Sequence, residues 1–460
     1  MANMCRSLVR RLLTQYATLA CVVCCLLGDQ LCMMLIVPIM PLYLVEQANA
    51  TGYVLTENVH EQCGLLVAIK GLVQTIVSCF VAGPLTSRYG ERNVLLTGVL
   101  GMTVSCELFA IGGRMGEFYV ARAAQGVSSS LVNAAGLALI AARYRGTCES
   151  TRDSAMGVAM CAMCIGYAIG PPFASVLYSY GGKALPFHAS AALMLIVVCA
   201  VSTLNADDTT EHSYIADVQK RHEDETIRSN VPDILRTVET NRASSSTLTT
   251  YELLCDPLIA LCLCDVAVSC LPVSAMEAVL TLWITENIAD ASDLDAGLVW
   301  LPTSVAMLAA TYVTTTLMSR HAYCHPYVIQ FALLLQSVAC VCLCAQWSVV
   351  GLSVCLSALM FADIQVETAL VPLISHIVDR RQRHHHHRNH YATGYALWDM
   401  VYSAVETAGP LLGAFGVVYV GFKPFMVFAA VLTLFMVPLN VRFREIGRQA
   451  KRDKFHYAIV

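Results

Sequence analysis

The sequence predicts an all-α polytopic membrane protein with twelve transmembrane helices arranged as two six-helix halves. Hydrophobic residues make up 57% of its 460 residues, and charged residues only 13%. Apolar stretches recur along the chain, and most of them reach the ~20 residues that a helix needs to cross the hydrocarbon core of a bilayer. This composition and length exclude a large soluble enzyme.

The apolar stretches fall into two sets of six on either side of a polar segment. The first set is 15–44, 61–86, 92–112, 117–143, 152–180 and 186–205, and the second is 256–286, 295–318, 325–346, 349–379, 390–420 and 424–445. The first stretch follows Arg10 and Arg11 as a signal peptide would, but it runs too far for a cleaved apolar region. We therefore expect it to remain as the first helix.

These sets divide the chain into five predicted parts. They are an N-terminus (1–14), a six-helix half (15–205), a linker (206–250), a second six-helix half (251–445) and a tail (446–460). The linker is polar and mixed in charge, which is typical of disorder. Lysine and arginine are concentrated on one side of the predicted topology, which places both termini and the linker in the cytoplasm. Asn49 begins an N-glycosylation sequon on the opposite side, and its occupancy stays open.

The first helix carries a carboxylate, Asp29, near its middle and two prolines, Pro38 and Pro41, toward one end. An Asp at the centre of a bilayer costs roughly 2.5–3.5 kcal/mol, so Asp29 is expected to face the protein interior or a watery cavity. The default interpretation of such a residue is a functional one. The alternative is a buried acid that is paired for structural reasons.

A motif between the second and third helices has spaced glycines and arginines. It runs from Gly83 through Arg88 and Gly90 to Arg92. It resembles the corresponding loop of the major facilitator superfamily, whose layout is also six plus six helices around a cytoplasmic linker. In that family the glycine permits a tight turn and the arginines hold the cytoplasmic side closed, and the resemblance implies the same here.

The fifth helix contains a second motif, Gly166-Tyr167-Ala168-Ile169-Gly170-Pro171-Pro172. It resembles the antiporter motif of the same superfamily. Small residues four apart, here Gly166 and Gly170, let two helices approach closely. Pro171 and its neighbour are expected to bend the helix.

Charged residues are unusually frequent inside the predicted spans, and the acids outnumber the bases. Besides Asp29 they are Lys70, Glu107, Arg122, Asp265, Glu277, Asp363, Glu367, Asp399 and Glu406, with Arg152 at the start of the fifth helix. Surplus carboxylates suit a cationic substrate, and buried acids suit proton carriage. The alternative is a set of paired charges that holds the halves in register, which we expect for Lys70, with Asp399 as the first choice of its partner. Local hydrogen bonds are expected for Glu107 and Asp265.

Several segments together resemble the vesicular amine transporters, the family that loads monoamines or acetylcholine into synaptic vesicles. They are Asp29-Gln30 with Val37–Pro41 in helix one, Gly64–Lys70 in helix two, Phe118–Gly126 in helix four, Leu253–Pro257 before helix seven, Ala275–Glu277 in helix seven, Glu367–Asp379 in helix ten and Tyr395–Asp399 through Gly409-Pro410 in helix eleven. The resemblance extends over nearly all of the membrane part.

The resemblance implies a role for each matched charge. Substrate ammonium or protons would be contacted by Asp29, Glu277 and Asp399, a charge network would include Lys70 and Arg152, and protons would be coupled at Glu367 and Asp399. The chain also departs from the family. Glu367 stands where the family has Asp, and Glu406 where a Tyr is usual.

Trp300 resembles the acetylcholine branch, because monoamine relatives have Phe at this position. An indole face attracts a quaternary ammonium by roughly 0.5–2 kcal/mol. The alternative for Trp300 is an anchor at the membrane surface. The sequence therefore leans toward acetylcholine without deciding the branch.

From these observations we expect a proton-coupled antiporter that loads a cationic amine neurotransmitter into acidic synaptic or secretory vesicles. The alternatives are a vesicular monoamine transporter and a plasma-membrane efflux antiporter for organic cations or drugs. Neither enzymatic activity nor a cofactor is expected, and the chain should act as a monomer without nucleic acid. The histidine run His384–His387 is interpreted as a solvated loop, because a metal site needs ligands with fixed geometry.

Overall fold

The computed structural model describes residues 2–40, 43–44, 56–145, 149–204, 253–287, 299–321, 324–345, 348–382 and 391–443. These residues form twelve long helices, six before residue 204 and six after residue 253. They are α1 (Ala2–Met34), α2 (Thr56–Val77, continued by Ser78–Ala82 and Gly83–Tyr89), α3 (Glu91–Ile111), α4 (Met115–Arg143), α5 (Glu149–Gly181), α6 (Ala184–Ser202), α7 (Pro257–Asn287), α8 (Leu301–Arg320), α9 (His325–Leu343), α10 (Val349–Gln382), α11 (Tyr391–Tyr419) and α12 (Phe422–Leu439).

The helices confirm the predicted fold class. Ten of them are long and apolar enough to cross a membrane, judged by the described residues alone. The other two are α8 and α11; α8 carries several threonines, and α11 holds Asp399 and Glu406. Because successive helices alternate in direction, α1 begins and α12 ends at the same end of the bundle. We call this end the termini end and the opposite one the far end.

Contacts between the two halves are made mainly by α2, α4 and α5 on one side and α8, α10 and α11 on the other. Apolar side chains from both halves join in one buried cluster, which includes Ala138 of α4 and Trp398 of α11. Several charged side chains described in the next subsection make contacts between the halves, among them Lys70, Arg152 and Asp399.

The antiporter-like motif packs α5 closely onto α1. A Cβ on Gly166 would lie 2.3 Å from the backbone oxygen of Leu27, and one on Gly170 would lie 2.4 Å from Cβ of Met34. Neither position has room for a larger residue, which agrees with the expectation from their spacing. Pro171 lies inside α5 without ending it.

The motif between α2 and α3 turns at Gly90, whose φ of 83° favours glycine. Arg92 donates to the backbone oxygen of Ser202 in α6, and the guanidinium of Arg88 lies over the ring of Tyr89. Both contacts remain within the first half, and among the described residues no ion pair of Arg88 or Arg92 with the second half is seen, so their closing role stays a prediction. The glycine at the start of the motif, Gly83, is the part that meets the second half: a Cβ there would lie 3.2 Å from Cα of Thr393 in α11.

Some predictions lie outside the described residues. They concern Asn49, the linker 206–250 and the run His384–His387. Glu277 lies within α7, but its side chain is also outside the described part. The division into five parts stays a prediction.

Candidate substrate and proton site

Asp29 is buried near the middle of its span, Leu13–Met40. Ser129 of α4 donates a hydrogen bond of 2.6 Å to its Oδ1 atom. A single hydroxyl is modest compensation for a carboxylate taken out of water, because buried charges need full pairing. Asp29 therefore lies inside the first half, where Ser129 orients its carboxylate. This hydrogen bond does not neutralise the negative charge.

Lys70 of α2 forms an ion pair with an acid in the other half of the molecule. Its Nζ atom lies 4.0 Å from Oε2 of Glu406 in α11 and 3.4 Å from the sulfur of Met33. The Lys70 side chain is 4% exposed, whereas that of Glu406 is 21% exposed. Lys70 is thus paired, as the sequence suggested. Its partner is the glutamate that replaces the family's usual tyrosine, and not Asp399, the partner first expected.

Asp399 accepts three hydrogen bonds, all from the first half. Gln74 and Asn133 donate to its Oδ1 atom at 2.8 and 2.9 Å, and Ser78 donates to Oδ2. Ser78 begins the π-helical turn of α2, Ser78–Ala82. Ordinary α-helical hydrogen bonding is interrupted there, as it often is at functional sites. Asp399 is therefore a fully buried acid of α11 that joins α2 and α4.

Glu367 of α10 lies in different surroundings from Asp399. The thiol of Cys270 donates to its Oε1 atom at 3.2 Å. Asp363 lies one helical turn earlier, and ligand atoms of Cys270, Asp363 and Glu367 all lie within 4.8 Å of one another. Within the described part of the chain, Oδ1 of Asp363 has no hydrogen-bond partner. Glu367 is thus grouped with Asp363, whereas Asp399 has its own partners in α2 and α4.

Two further acids make local contacts, as expected. Glu107 lies 3.0 Å from Nδ1 of His188 on the partly exposed surface between α3 and α6. Asp265 accepts from Asn440 at 2.8 Å. Both contacts stay within one half of the molecule, which separates these acids from the inter-half set.

Arg152 closes the termini end between the halves. It forms an ion pair with Asp379 of α10, and its NH2 atom lies 2.7 Å from Nδ1 of His376. Tyr391 of α11 donates to the same Asp379. Beside them, the hydroxyl of Ser150 donates to the backbone oxygen of Ser319 at 2.6 Å. The predicted helix-five charge pair therefore joins α5 to the second half at the termini end, a contact that we call the gate.

Asp153, the next residue of α5, lies between two histidines. Its carboxylate oxygens are 3.0 Å from Nε2 of His376 and 3.4 Å from Nε2 of His325. This group and the Cys270, Asp363 and Glu367 group are the clusters of possible metal ligands among the described residues. The first does not suit a metal, because Arg152 already donates to His376 and so leaves the ring proton on Nε2. In the second, the thiol donates to Glu367 and thus keeps its proton.

Trp300 immediately precedes α8, at the far end of the bundle. Its side chain is partly buried against an apolar cluster that includes Met307, and Tyr167 packs against the same cluster. A helix of 20 residues is about 30 Å long, so Trp300 lies about half a membrane thickness from the middle of its helix. This position suits a binding surface at an opening of the site, or an interfacial anchor, better than contact at the level of Asp29.

Sequence reasoning left no role for Glu406 or Asp363 and did not identify the gate residues Asp153, His325 and His376. One signal was present for Asp363, since it precedes Glu367 by four residues and so shares its helix face. No local pattern marks Glu406 or Asp153, because each acquires its partner from a distant helix.

This architecture is that of a membrane transporter, and the sequence pattern of the Major Facilitator Superfamily matches residues 22–388. The chain therefore belongs to that superfamily of transporters and is not an enzyme. The crystal structure of the human organic anion transporter MFSD10 (TETRAN) superposes with a TM-score of 0.67 at 18% identity, covering 93% of this chain and 99% of that one. This likeness shows the fold alone.

Within the superfamily, the chain is similar to vesicular transporters. It is 27% identical over 445 residues to the vesicular acetylcholine transporter unc-17 of Caenorhabditis elegans, covering 92% of this chain and 77% of that protein. It is 28% identical to the vesicular acetylcholine transporter of Mus musculus, covering 85% and 67% of the two chains. It is 29% identical to the chromaffin granule amine transporter of Rattus norvegicus, covering 84% and 67%.

Proposed function

We propose that this protein is a proton-coupled antiporter that loads a cationic amine into acidic vesicles. The observation that carries the proposal is a set of acids inside the bundle: the buried Asp29, Asp363, Glu367 and Asp399, together with the partly exposed Glu406. Among the described residues, the basic side chains at comparable depth are Lys70 and Arg122, so acids are in excess. An excess of acids attracts a cation, and acids that gain and lose protons can couple its movement to a pH gradient.

Asp29 is the proposed contact for the substrate ammonium. It accepts one hydroxyl hydrogen bond and has no ion pair among the described contacts, so its charge is available to a ligand. Arg122 does not pair with the Asp29 carboxylate, because its guanidinium donates to the backbone oxygen of Leu66 and to the side chain of Gln125. Glu277 is proposed to contribute to the same site on the basis of the family resemblance.

Glu367 and Asp399 are the proposed proton carriers, each with its own partners. Glu367 is close to Asp363, and two carboxyl groups in an apolar interior repel one another when both are ionised. One proton taken up by this pair relieves the repulsion. Asp399 is stabilised as an anion by three donors from the first half, so its protonation weakens a link between the halves. Proton binding would thus alter inter-half contacts as well as charge.

Alternating access supplies the proposed cycle. The contacts of Arg152 with Asp379 and His376 hold the termini end closed, and we propose that this end faces the cytosol. Protons from an acidic lumen would neutralise Glu367 and Asp399 and release the amine there. Their loss to the cytosol would restore the charged site for the next amine.

Acetylcholine is the favoured substrate. The similarity to proteins named vesicular acetylcholine transporters and the indole of Trp300, a surface for quaternary ammonium, support it. The chromaffin granule amine transporter is similar to a comparable degree, which keeps a monoamine as the second candidate.

The test is uptake of labelled acetylcholine, serotonin and dopamine into proteoliposomes that contain the purified chain and an acidic interior. We expect concentrative uptake of acetylcholine that stops when an ionophore collapses the pH gradient. Preferential uptake of serotonin or dopamine would assign the monoamine branch. Absence of gradient-driven uptake for all three amines would overturn the proposal. Localisation of the tagged protein to the plasma membrane would favour the efflux antiporter instead.

A further inference from the structure

The ring of His376 is held from both sides by the first half of the molecule. Its Nδ1 atom is 2.7 Å from NH2 of Arg152, and its Nε2 atom is 3.0 Å from Oδ1 of Asp153. His376 belongs to α10 in the second half, while both partners belong to α5. The side chain is only 13% exposed. The histidine is therefore part of the closed contact at the termini end.

These two partners fix where the proton of the ring lies. A guanidinium has five N–H donors and no acceptor, so Nδ1 must accept from Arg152. The carboxylate of Asp153 accepts, so Nε2 must donate to it. One proton, carried on Nε2, satisfies both contacts. A second proton on Nδ1 would point at the guanidinium and replace a hydrogen bond with repulsion between two cations.

The other charged groups around the ring do not offer a new partner for that second proton. Asp379 of α10 is already bound to Arg152 and accepts from Tyr391 of α11. His325 of α9 meets the His376 ring edge-on at a centroid distance of 5.5 Å. Its own Nε2 atom faces Asp153 at 3.4 Å. A proton on His325 would thus attract Asp153, the opposite of the effect at His376.

We propose that His376 is a proton-binding residue of the gate, neutral when the termini end is closed and able to take up a second proton only when it opens. This deepens the proposed function, because it rests on alternating access between the halves. Protonation from the solution at the termini end then favours the open form. The residue differs in location from Glu367 and Asp399, since it lies in the closing contact itself.

The size of the effect follows from linkage. A histidine side chain in water is half protonated near pH ~6.5. If the closed form excludes the second proton, the equilibrium constant for opening rises about tenfold between pH 7.5 and pH 5.5.

Hydrogen–deuterium exchange of the purified full chain at these two pH values measures this opening without any substrate. After correction for the intrinsic pH dependence of exchange, peptides covering the start of α5 and the end of α10 should exchange about tenfold faster at pH 5.5. In His376→Gln, which keeps a donor and an acceptor but cannot be charged, the change should fall below about twofold. If that variant does not fold, His376→Asn supplies the same test.

Two other histidines provide controls. His188→Gln, which affects only the Glu107 contact in the first half, should keep the wild-type response. The proposal is overturned if wild-type exchange in these peptides does not change with pH, or if His376→Gln retains the response. Loss of the response in His325→Gln together with its retention in His376→Gln would assign the effect to His325 instead. Since the measurement needs no transport, failure of amine uptake would leave its result interpretable.

Discussion

Lys70 and Glu406 face each other across the two halves, with 4.0 Å between Nζ and Oε2. The lysine is buried, and the glutamate is partly open to the space between the halves. This pair joins α2 to α11 at the depth where Asp29 is held by Ser129. A substrate ammonium that enters between the halves would compete with Lys70 for Glu406, so the pair connects binding to inter-half contact.

The first prediction tests this pairing. Lys70→Ala should lower the melting temperature and transport, because it leaves the Glu406 charge uncompensated. The cost should lie below the ~3–5 kcal/mol of a fully buried pair, since Glu406 is partly exposed. Adding Glu406→Gln should recover the melting temperature, whereas adding Asp399→Asn should not. Recovery by Asp399→Asn alone would return Lys70 to the partner first expected from the sequence.

The second prediction concerns Asp29. Asp29→Asn should fold and yet abolish amine uptake, because an amide keeps the Ser129 hydrogen bond but carries no charge for an ammonium. The control is Asp265→Asn, which removes a buried acid that accepts, among the described residues, from Asn440 of the same half. It should retain uptake. Wild-type uptake rates in proteoliposomes with Asp29→Asn would remove Asp29 from the mechanism.

The third prediction separates two activities at Glu367. Glu367→Gln should retain substrate exchange without a gradient but fail to accumulate amine against one, because the amide binds no proton. Glu367→Asp should remain active, since it keeps the carboxylate that the related family carries there. The measurement is concentrative uptake with an imposed pH gradient, compared with counterflow of labelled amine. Accumulation by Glu367→Gln at the wild-type level would show that the proton leaves by another residue.

The fourth prediction uses the geometry of Asp399. In Asp399→Asn the amide oxygen can still accept from Gln74 and Asn133, and its nitrogen can donate to Ser78, which can donate onward to Ser130. The variant should therefore melt close to wild type while losing gradient-driven uptake.

Asp399→Ala is the matched comparison, because it leaves the same donors without an acceptor. Each buried group left unpaired costs about 1–3 kcal/mol, so its melting temperature should fall well below that of Asp399→Asn. Equal melting temperatures for the two variants would mean that these hydrogen bonds contribute little to joining the halves.

The sequence predicted the number, order and approximate bounds of the helices, because an apolar span of fixed length is a local property. It also predicted that Gly166 and Gly170 meet a neighbouring helix, but not that the helix is α1. The partner of Lys70 depends on the rotation and depth of α2 relative to α11. That relation is set by packing across the whole bundle, and no local pattern encodes it. Asp153, His325 and His376 were missed for the same reason: they come from three helices of both halves.

The π-helical turn Ser78–Ala82 sets the rotation of the part of α2 before it relative to the part after it. Each residue rotates an α-helix by about 100°, and a π-turn accommodates one residue beyond the α-helical repeat. The part of α2 before the turn directs Lys70 toward Glu406, and the part after it places Gly83 against Thr393. Deleting one residue from the turn would rotate the face that carries Lys70 by about a quarter of a revolution relative to the face that carries Gly83. The length of this turn, more than its composition, thus sets the orientation of Lys70 relative to that of Gly83.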